Sequence, residues 1–299
     1  MAQRRKSQFK VVLLALPVVI ILGLLVWYLR SHTIAILQPA GPIAEKERNL
    51  MGFTILLAAI VVIPVYTMTV LIALKYREQN HDKQKVKYSP EWDHSRVFET
   101  IWWGVPIVII GILSVVTWNS SHALDPYKPL ASSVQPITVQ VIALDWKWLF
   151  IYPNQHVASV NLIEMPVDTP VNFQITSDTV MNSFWIPQLS GQIYAMPGMS
   201  TQLHLMASRT GSFYGSPANI AGSGFARMNF TAQAVSATDF NQWVHTAQNS
   251  SKQMNMSAYN ELSKPSDDNP VVLYSHVTGG LYTNMVTKYM SMSPSGMEM

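Results

Sequence analysis

Groups able to perform chemistry are few and scattered in this sequence. No cysteine occurs among the 299 residues, which removes disulfides, thiolate metal sites, iron–sulfur clusters, cysteine nucleophiles and cysteine-linked lipids together. Of the eight histidines, none pairs with another at the i, i+4 spacing that sets two imidazoles on one helix face to share a metal ion. His81, His94, His122 and His156 read as loop residues. No Ser-His-Asp order, glycine-rich phosphate loop or catalytic carboxylate pair stands out. Two features remain. Glu99 opens an apolar run, where a carboxyl favours a helix N-terminus electrostatically. Trp146 and Trp148 sit two apart in Asp145-Trp146-Lys147-Trp148, a stretch that reads as strand.

The elements that must position these residues follow from composition and periodicity. Charged residues make up 12% and hydrophobic ones 48% of the chain, a balance that points to lipid contact. Three runs without a charge, Val11 to Leu29, Met51 to Leu74 and Ile101 to Trp118, approach or reach the length of a membrane-crossing helix. Pro17, Pro64 and Pro106 inside them are tolerated in lipid. Basic residues cluster before the first run and between the second and third, including Lys75, Arg77, Lys83, Lys85, Lys87 and Arg96. Only Arg30, Lys46 and Arg48 lie between the first and second. The positive-inside rule therefore puts 75–100 in the cytoplasm and everything after about Ser120 outside it. Residues 1–30 fit either a signal peptide or a first transmembrane helix, and 31–120 a hairpin with helices at about 51–74 and 101–118.

Beyond Pro136 the pattern changes to short alternating segments, Ile137, Val139, Val141 and later Val171, Phe173, Ile175, punctuated by Pro, Gly, Asn and Asp. This predicts half-buried strands of an antiparallel sandwich over 121–238. An amphipathic, helical and aromatic-rich appendage follows over 239–290, and the Met-, Ser-, Pro- and Gly-rich segment 291–299 reads as a disordered tail. A net charge of +3 with no basic stripe excludes nucleic acid as a partner.

Several stretches resemble subunit II of the haem–copper terminal oxidases. They are Phe98-Glu99-Thr100-Ile101-Trp102, Asp145-Trp146-Lys147-Trp148, Val180-Met181-Asn182-Ser183-Phe184 with Ile186-Pro187, and Gly211-Ser212-Phe213-Tyr214-Gly215, in that order and over most of the chain. The resemblance implies a membrane α-helical hairpin of two or three transmembrane helices, an all-β cupredoxin-like Greek-key sandwich and a small helical C-terminal appendage. Members that accept electrons from cytochrome c hold two copper ions with His, two Cys, a Glu carbonyl, a second His and a Met. Laid over this chain, those positions fall on Asn182, Pro217, Asn219, Ala221, Phe225 and Met228, of which only Met228 keeps its ligand. The absence of cysteine makes the loss independent of alignment.

The pattern, with Pro187 to Met199, is similar to the quinol oxidase branch, especially the bo-type ubiquinol oxidases. The resemblance implies a non-catalytic subunit 2 with no cofactor of its own, haems and copper in a partner subunit I, and ubiquinol as the complex's substrate. It also implies small subunits III and IV as partners, no cytochrome c, and a bacterial inner-membrane location with a periplasmic C-terminal domain. Glu99 matches a residue at the mouth of a proton-uptake path. Trp146 matches a residue that passes electrons to copper, and without copper that role lapses in favour of packing, as for Trp148. Two other functions compete: an electron-transfer protein with its own copper, opposed by the ligand positions, and a membrane-anchored extracytoplasmic β-sandwich binding module unrelated to respiration.

Overall fold

The computed structural model describes residues 34–76 and 94–290, with a few positions between 20 and 31. Most of the first apolar run, the basic residues from Arg77 to Lys87, His81 and the C-terminal tail lie outside the described residues. Two long helices lead the described chain, α1 (Pro42–Lys75) and α2 (Arg96–Ala123). Both exceed the apolar runs that announce them. At 1.5 Å per residue the 34 residues of α1 reach about 51 Å, well beyond the roughly 30 Å of a hydrocarbon core. Inside the apolar stretches threonine and serine hydroxyls turn back on their own helix, as Thr67 does to Ile63 O at 2.7 Å and Ser114 to Ile110 O at 2.8 Å, which satisfies their polar hydrogens away from lipid.

The extra turns of α1 are polar, from Glu45 to Asn49, and are helical because the helix start is docked on the external domain. Ala40 N donates to Gln188 O at 2.7 Å, Ala44 N to Leu189 O at 3.3 Å, and Ser208 N to Ala40 O at 2.7 Å. Gly41 allows this approach, since a Cβ there would lie 2.3 Å from Met206 O. On the other side, after α2, His204 N donates to Pro126 O at 3.2 Å. The domain thus rests on both ends of the hairpin.

The external domain is a sandwich of twelve strands. In chain order they are β1 (Ile137–Leu144), β2 (Lys147–Tyr152), β3 (Val157–Val160), β4 (Leu162–Pro166), β5 (Val171–Ser177), β6 (Asn182–Trp185), β7 (Ile193–Ala195), β8 (Thr201–Leu205), β9 (Gly211–Pro217), β10 (Phe230–Val235), β11 (Gln253–Met254) and β12 (Val272–Val277). One sheet runs β11-β12-β3-β2-β1-β5-β8 and the other β4-β10-β9-β6-β7. Pairing is mostly antiparallel as expected, but β1 with β5, β4 with β10 and β11 with β12 are parallel. The physical reason lies at Asn161, whose φ of 56° kinks the chain between β3 and β4 so that it changes sheets within one residue. Having crossed over, the chain returns as β5 beside β1 in the same direction rather than as a hairpin. Asn161 holds the kink by accepting from Trp148 N at 2.9 Å and donating to Asn269 O at 3.0 Å.

Between the sheets, Trp148, Phe150, Phe173, Phe184 and Phe230 form an aromatic core. The Phe184 and Phe230 rings stack 5.1 Å apart, and Trp148 meets each of them edge-on. Three helices complete the chain, α3 (Ala237–Gln248), α4 (Met256–Leu262) and α5 (Leu281–Met290). The C-terminal region is therefore helical as expected, and it also contributes β11 and β12 to the larger sheet. Tyr259, Leu281, Tyr282, Met285 and Val286 cover that sheet's outer face over Ile142, Leu144, Leu149 and Ile151. Strand β2 is buried at every residue as a result, which explains its unbroken apolar sequence after Lys147.

Candidate functional site

The two tryptophans hold the two ends of one segment, Ala221 to Met228. Trp146 stands in the β1–β2 turn at φ 62°. Its Nε1 donates to Ala221 O at 3.0 Å, and its ring lies over Gly222 and Gly224. A Cβ on Gly224 would fall 2.3 Å from that ring, so the loop lies flush only with glycine. Two residues on, the fully buried Trp148 donates from Nε1 to Met228 O at 3.3 Å. Between them Phe225 to Arg227 form a 3-10 turn, closed by Met228 N donating to Phe225 O at 3.1 Å.

The six positions that the resemblance assigns to copper ligands lie along this segment and the strands beside it. Asn182 starts β6 and is buried, and Pro217 ends β9 opposite Phe184. Asn219 donates from Nδ2 to Met181 O at 2.9 Å, which ties it to the start of β6. Ala221 sits under Trp146, Phe225 is half-buried in the turn, and the Met228 side chain is fully enclosed. Chemically the set offers two amide oxygens, a proline ring, a methyl group, a phenyl ring and one thioether. Copper of this type needs thiolates and imidazoles, so these residues do not fit it. Among the described residues no three His, Asp or Glu side chains are grouped to hold a metal ion.

Glu99 lies in the first turn of α2, half-buried, where unsatisfied N–H groups favour a negative charge. The structure brings it near none of the domain positions.

Two acidic residues in the external domain escaped the sequence reading. Asp178, in the loop before β6, accepts from Tyr259 Oη at 2.7 Å, Tyr289 Oη at 3.0 Å and Lys288 Nζ at 2.6 Å, and its side chain is 3% exposed. It pins α4 and α5 to the sandwich. Its partners lie over 80 residues away, so no local spacing announces it. Glu164 is buried on β4, its backbone N and O both bonded to Tyr152 Oη at 2.9 Å. Burial first, and then the neighbouring Asp239 charge, push its carboxyl up to about 7. Lys147, enclosed on β2, donates from Nζ to Lys264 O at 2.8 Å and also to Ser266. Burial pushes its ammonium down, against the opposing pull of Asp145.

Comparison with known proteins places these elements in a family. Residues 154–235, from just before β3 to the end of β10, match the family model for the cytochrome c oxidase subunit II periplasmic domain, and residues 248–293 match the COX aromatic rich motif. The cytochrome bo(3) ubiquinol oxidase subunit 2 of Pseudomonas putida is 48% identical over 258 residues, covering 86% of this chain and 81% of that one. That of Pseudomonas aeruginosa is 50% identical over 252 residues, 84% and 75% of the two chains. The ubiquinol oxidase subunit 2 of Acetobacter aceti is 47% identical over 256 residues, 85% and 82%. A solved periplasmic domain of cytochrome oxidase subunit II from Bradyrhizobium japonicum is 26% identical with a TM-score of 0.35, covering 37% of this chain and 91% of that one. With two apolar anchor helices, a sandwich of this kind and relatives at this identity over most of its length, the chain belongs to the family of ubiquinol oxidase subunit 2.

Proposed function

We propose that this chain is the non-catalytic subunit 2 of a proton-translocating ubiquinol oxidase, and that it supports the assembly and stability of subunit I, where haems and copper reduce oxygen. The observation that carries this reading is the donor set around Ala221 to Met228. A sandwich that keeps its frame but presents Asn182, Pro217, Asn219, Ala221 and Phe225 in place of copper ligands has no acceptor for electrons from cytochrome c. Electrons then enter subunit I from a membrane-soluble donor, ubiquinol. The distribution of basic residues supports a non-cytoplasmic sandwich, which in this reading lies on the periplasmic side of a bacterial inner membrane. The partners are subunit I, the small subunits III and IV, and lipid.

The test is purification of the tagged chain in mild detergent, with haem spectra, metal analysis and quinol-dependent oxygen uptake. Haem co-purifying with quinol oxidase activity supports the reading. A colourless isolated chain favours the unrelated binding module, and two copper atoms in this chain overturn the ligand argument.

Within the same reading Glu99 belongs to the proton-uptake entrance on the cytoplasmic side, where a carboxyl at the edge of the hydrocarbon passes protons between water and the partner subunit. Glu99→Gln is expected to slow turnover and proton uptake of the assembled oxidase, because an amide cannot take up and release the proton that the carboxyl exchanges. Unchanged uptake leaves Glu99 with a helix-terminus role alone.

A further inference from the structure

The residues standing at the lost ligand positions make a site of their own. Strands β6 and β9 are antiparallel, with Trp185 opposite Ser216 and Phe184 opposite Pro217. Continued by two residues, that register sets Asn182 directly across from Asn219, the separation at which side chains on neighbouring strands meet. Two bonds keep the strands together over this extension: Ala218 N donates to Ser183 O at 3.3 Å, and Asn219 Nδ2 to Met181 O at 2.9 Å. On the facing side Asn182 Nδ2 donates to Val180 O at 3.0 Å.

Both amide nitrogens are thus committed to backbone carbonyls. Turning either amide over would set oxygen against oxygen, so the orientation of each group is fixed by its partner. The two Oδ1 atoms that remain are buried and have no partner among the described residues. Asn182 is only 1% exposed, so bulk solvent does not reach its oxygen. Each Nδ2 keeps a second hydrogen, yet no bond from either amide nitrogen to the other residue's Oδ1 is formed, so both oxygens stay unpaired among the described residues. What the pair lacks is a small donor with two hydrogens. A hard cation is a poor occupant, since it would find two neutral oxygens where six to eight are usual.

We propose that a single ordered water molecule is bound between β6 and the segment after β9, donating one hydrogen bond to Asn182 Oδ1 and one to Asn219 Oδ1. It links the Val180–Asn182 turn to the Ala218–Ala221 loop. Buried waters with two to four polar partners are an ordinary structural component, and both acceptors here are otherwise unpaired.

The test is a structure of the whole oxidase at a resolution that shows waters, with melting curves and metal analysis of the same preparation. The expected result is one peak at hydrogen-bond distance, about 2.8 Å, from both Oδ1 atoms, which disappears in Asn219→Ala. Asn182→Ala and Asn219→Ala are each expected to lower the melting temperature, and the double variant to lower it by less than the sum, because either one alone already releases the water. The proposal is overturned by a peak bonded to only one oxygen, by no peak, by a peak that survives in Asn219→Ala, by a metal ion at the position, or by additive melting shifts.

Discussion

The sandwich and the helical hairpin are both rich in apolar side chains, and they dispose of them in opposite ways. In β2 every residue is buried, half against the second sheet and half under the C-terminal helices. In α2 none is buried, and in α1 only Ile43 and Ala44 are, at the end that docks on the domain. Side chains such as Trp103 at 68% exposure and Ile107 at 64% face outward along the helix. The sandwich is therefore closed by its own chain, outer face included, whereas the hairpin leaves its apolar surface to lipid and to neighbouring subunits. Stability of the external domain is an internal property, and stability of the hairpin is a property of the assembly.

The most severe way to break the sandwich side of that contrast is Trp148→Ala. It empties the centre of the Phe184, Phe230 and Trp148 cluster and strands Met228 O without its donor. The expected cost is about 4 kcal/mol, read as a fall in the thermal midpoint of the external domain by near-ultraviolet circular dichroism. A loss below about 1 kcal/mol would mean that the inner core is not what closes the domain.

Glu164 sharpens the contrast through pH, because the sandwich buries a carboxyl as well as apolar groups. With its carboxyl raised from 4.5 to about 7, the folded chain holds this proton more tightly than the unfolded chain does. The folded state is therefore favoured below about 4.5, and the advantage is lost as pH rises to about 7. Over that window this one group is expected to remove about 3 kcal/mol, an order-of-magnitude figure. Glu164→Gln should flatten the dependence and raise the melting temperature at pH 8 while changing little at pH 4.5. Melts of the two proteins across that range decide it, and parallel curves would sink the assignment to Glu164.

A smaller loss is expected from Asp178→Ala, which takes the acceptor from Tyr259, Tyr289 and Lys288 at once. About 2 kcal/mol should go, concentrated in α4 and α5 rather than in the sheets. Limited proteolysis is the direct readout, with cleavage after Lys252 or Lys264 appearing before the domain melts. Simultaneous loss of the whole domain would show that the C-terminal cover and the inner core are one cooperative unit.

Much of this architecture was legible in the sequence, for reasons that differ between the two regions. Apolar runs without charge identify the hairpin because lipid imposes a composition on each helix separately. Strands β1 and β5 are announced by Ile137, Val139, Val141 and by Val171, Phe173, Ile175, since period two is also local. The first turns of α1 were not legible, because the helix start before Glu45 is held by bonds from Ala40 and Ala44 to Gln188 and Leu189, far away in sequence. The same holds for β12, whose place beside β3 depends on a return of more than 100 residues, and for the Asp178 hub. At the candidate site the residue types were readable from the resemblance. The facing of Asn182 and Asn219 was not, since it follows from the β6–β9 register and from nothing either segment carries alone.

The smallest effect on the domain is expected where the side chain is most apolar and least buried. Ile107→Ala in α2 removes a large group that is 64% exposed and lies outside the core of the external domain, so that domain should melt within about 0.5 kcal/mol of the unaltered protein. In the assembled oxidase the same substitution removes packing atoms from a helix whose partners are lipid and other subunits, and any loss belongs to the complex. Haem retained per tagged chain through a detergent wash measures that loss, and the circular dichroism midpoint measures the domain. If the domain midpoint fell as far as it does for Trp148→Ala, the hairpin and the sandwich would be energetically continuous, and the division of labour drawn between them would have to be abandoned.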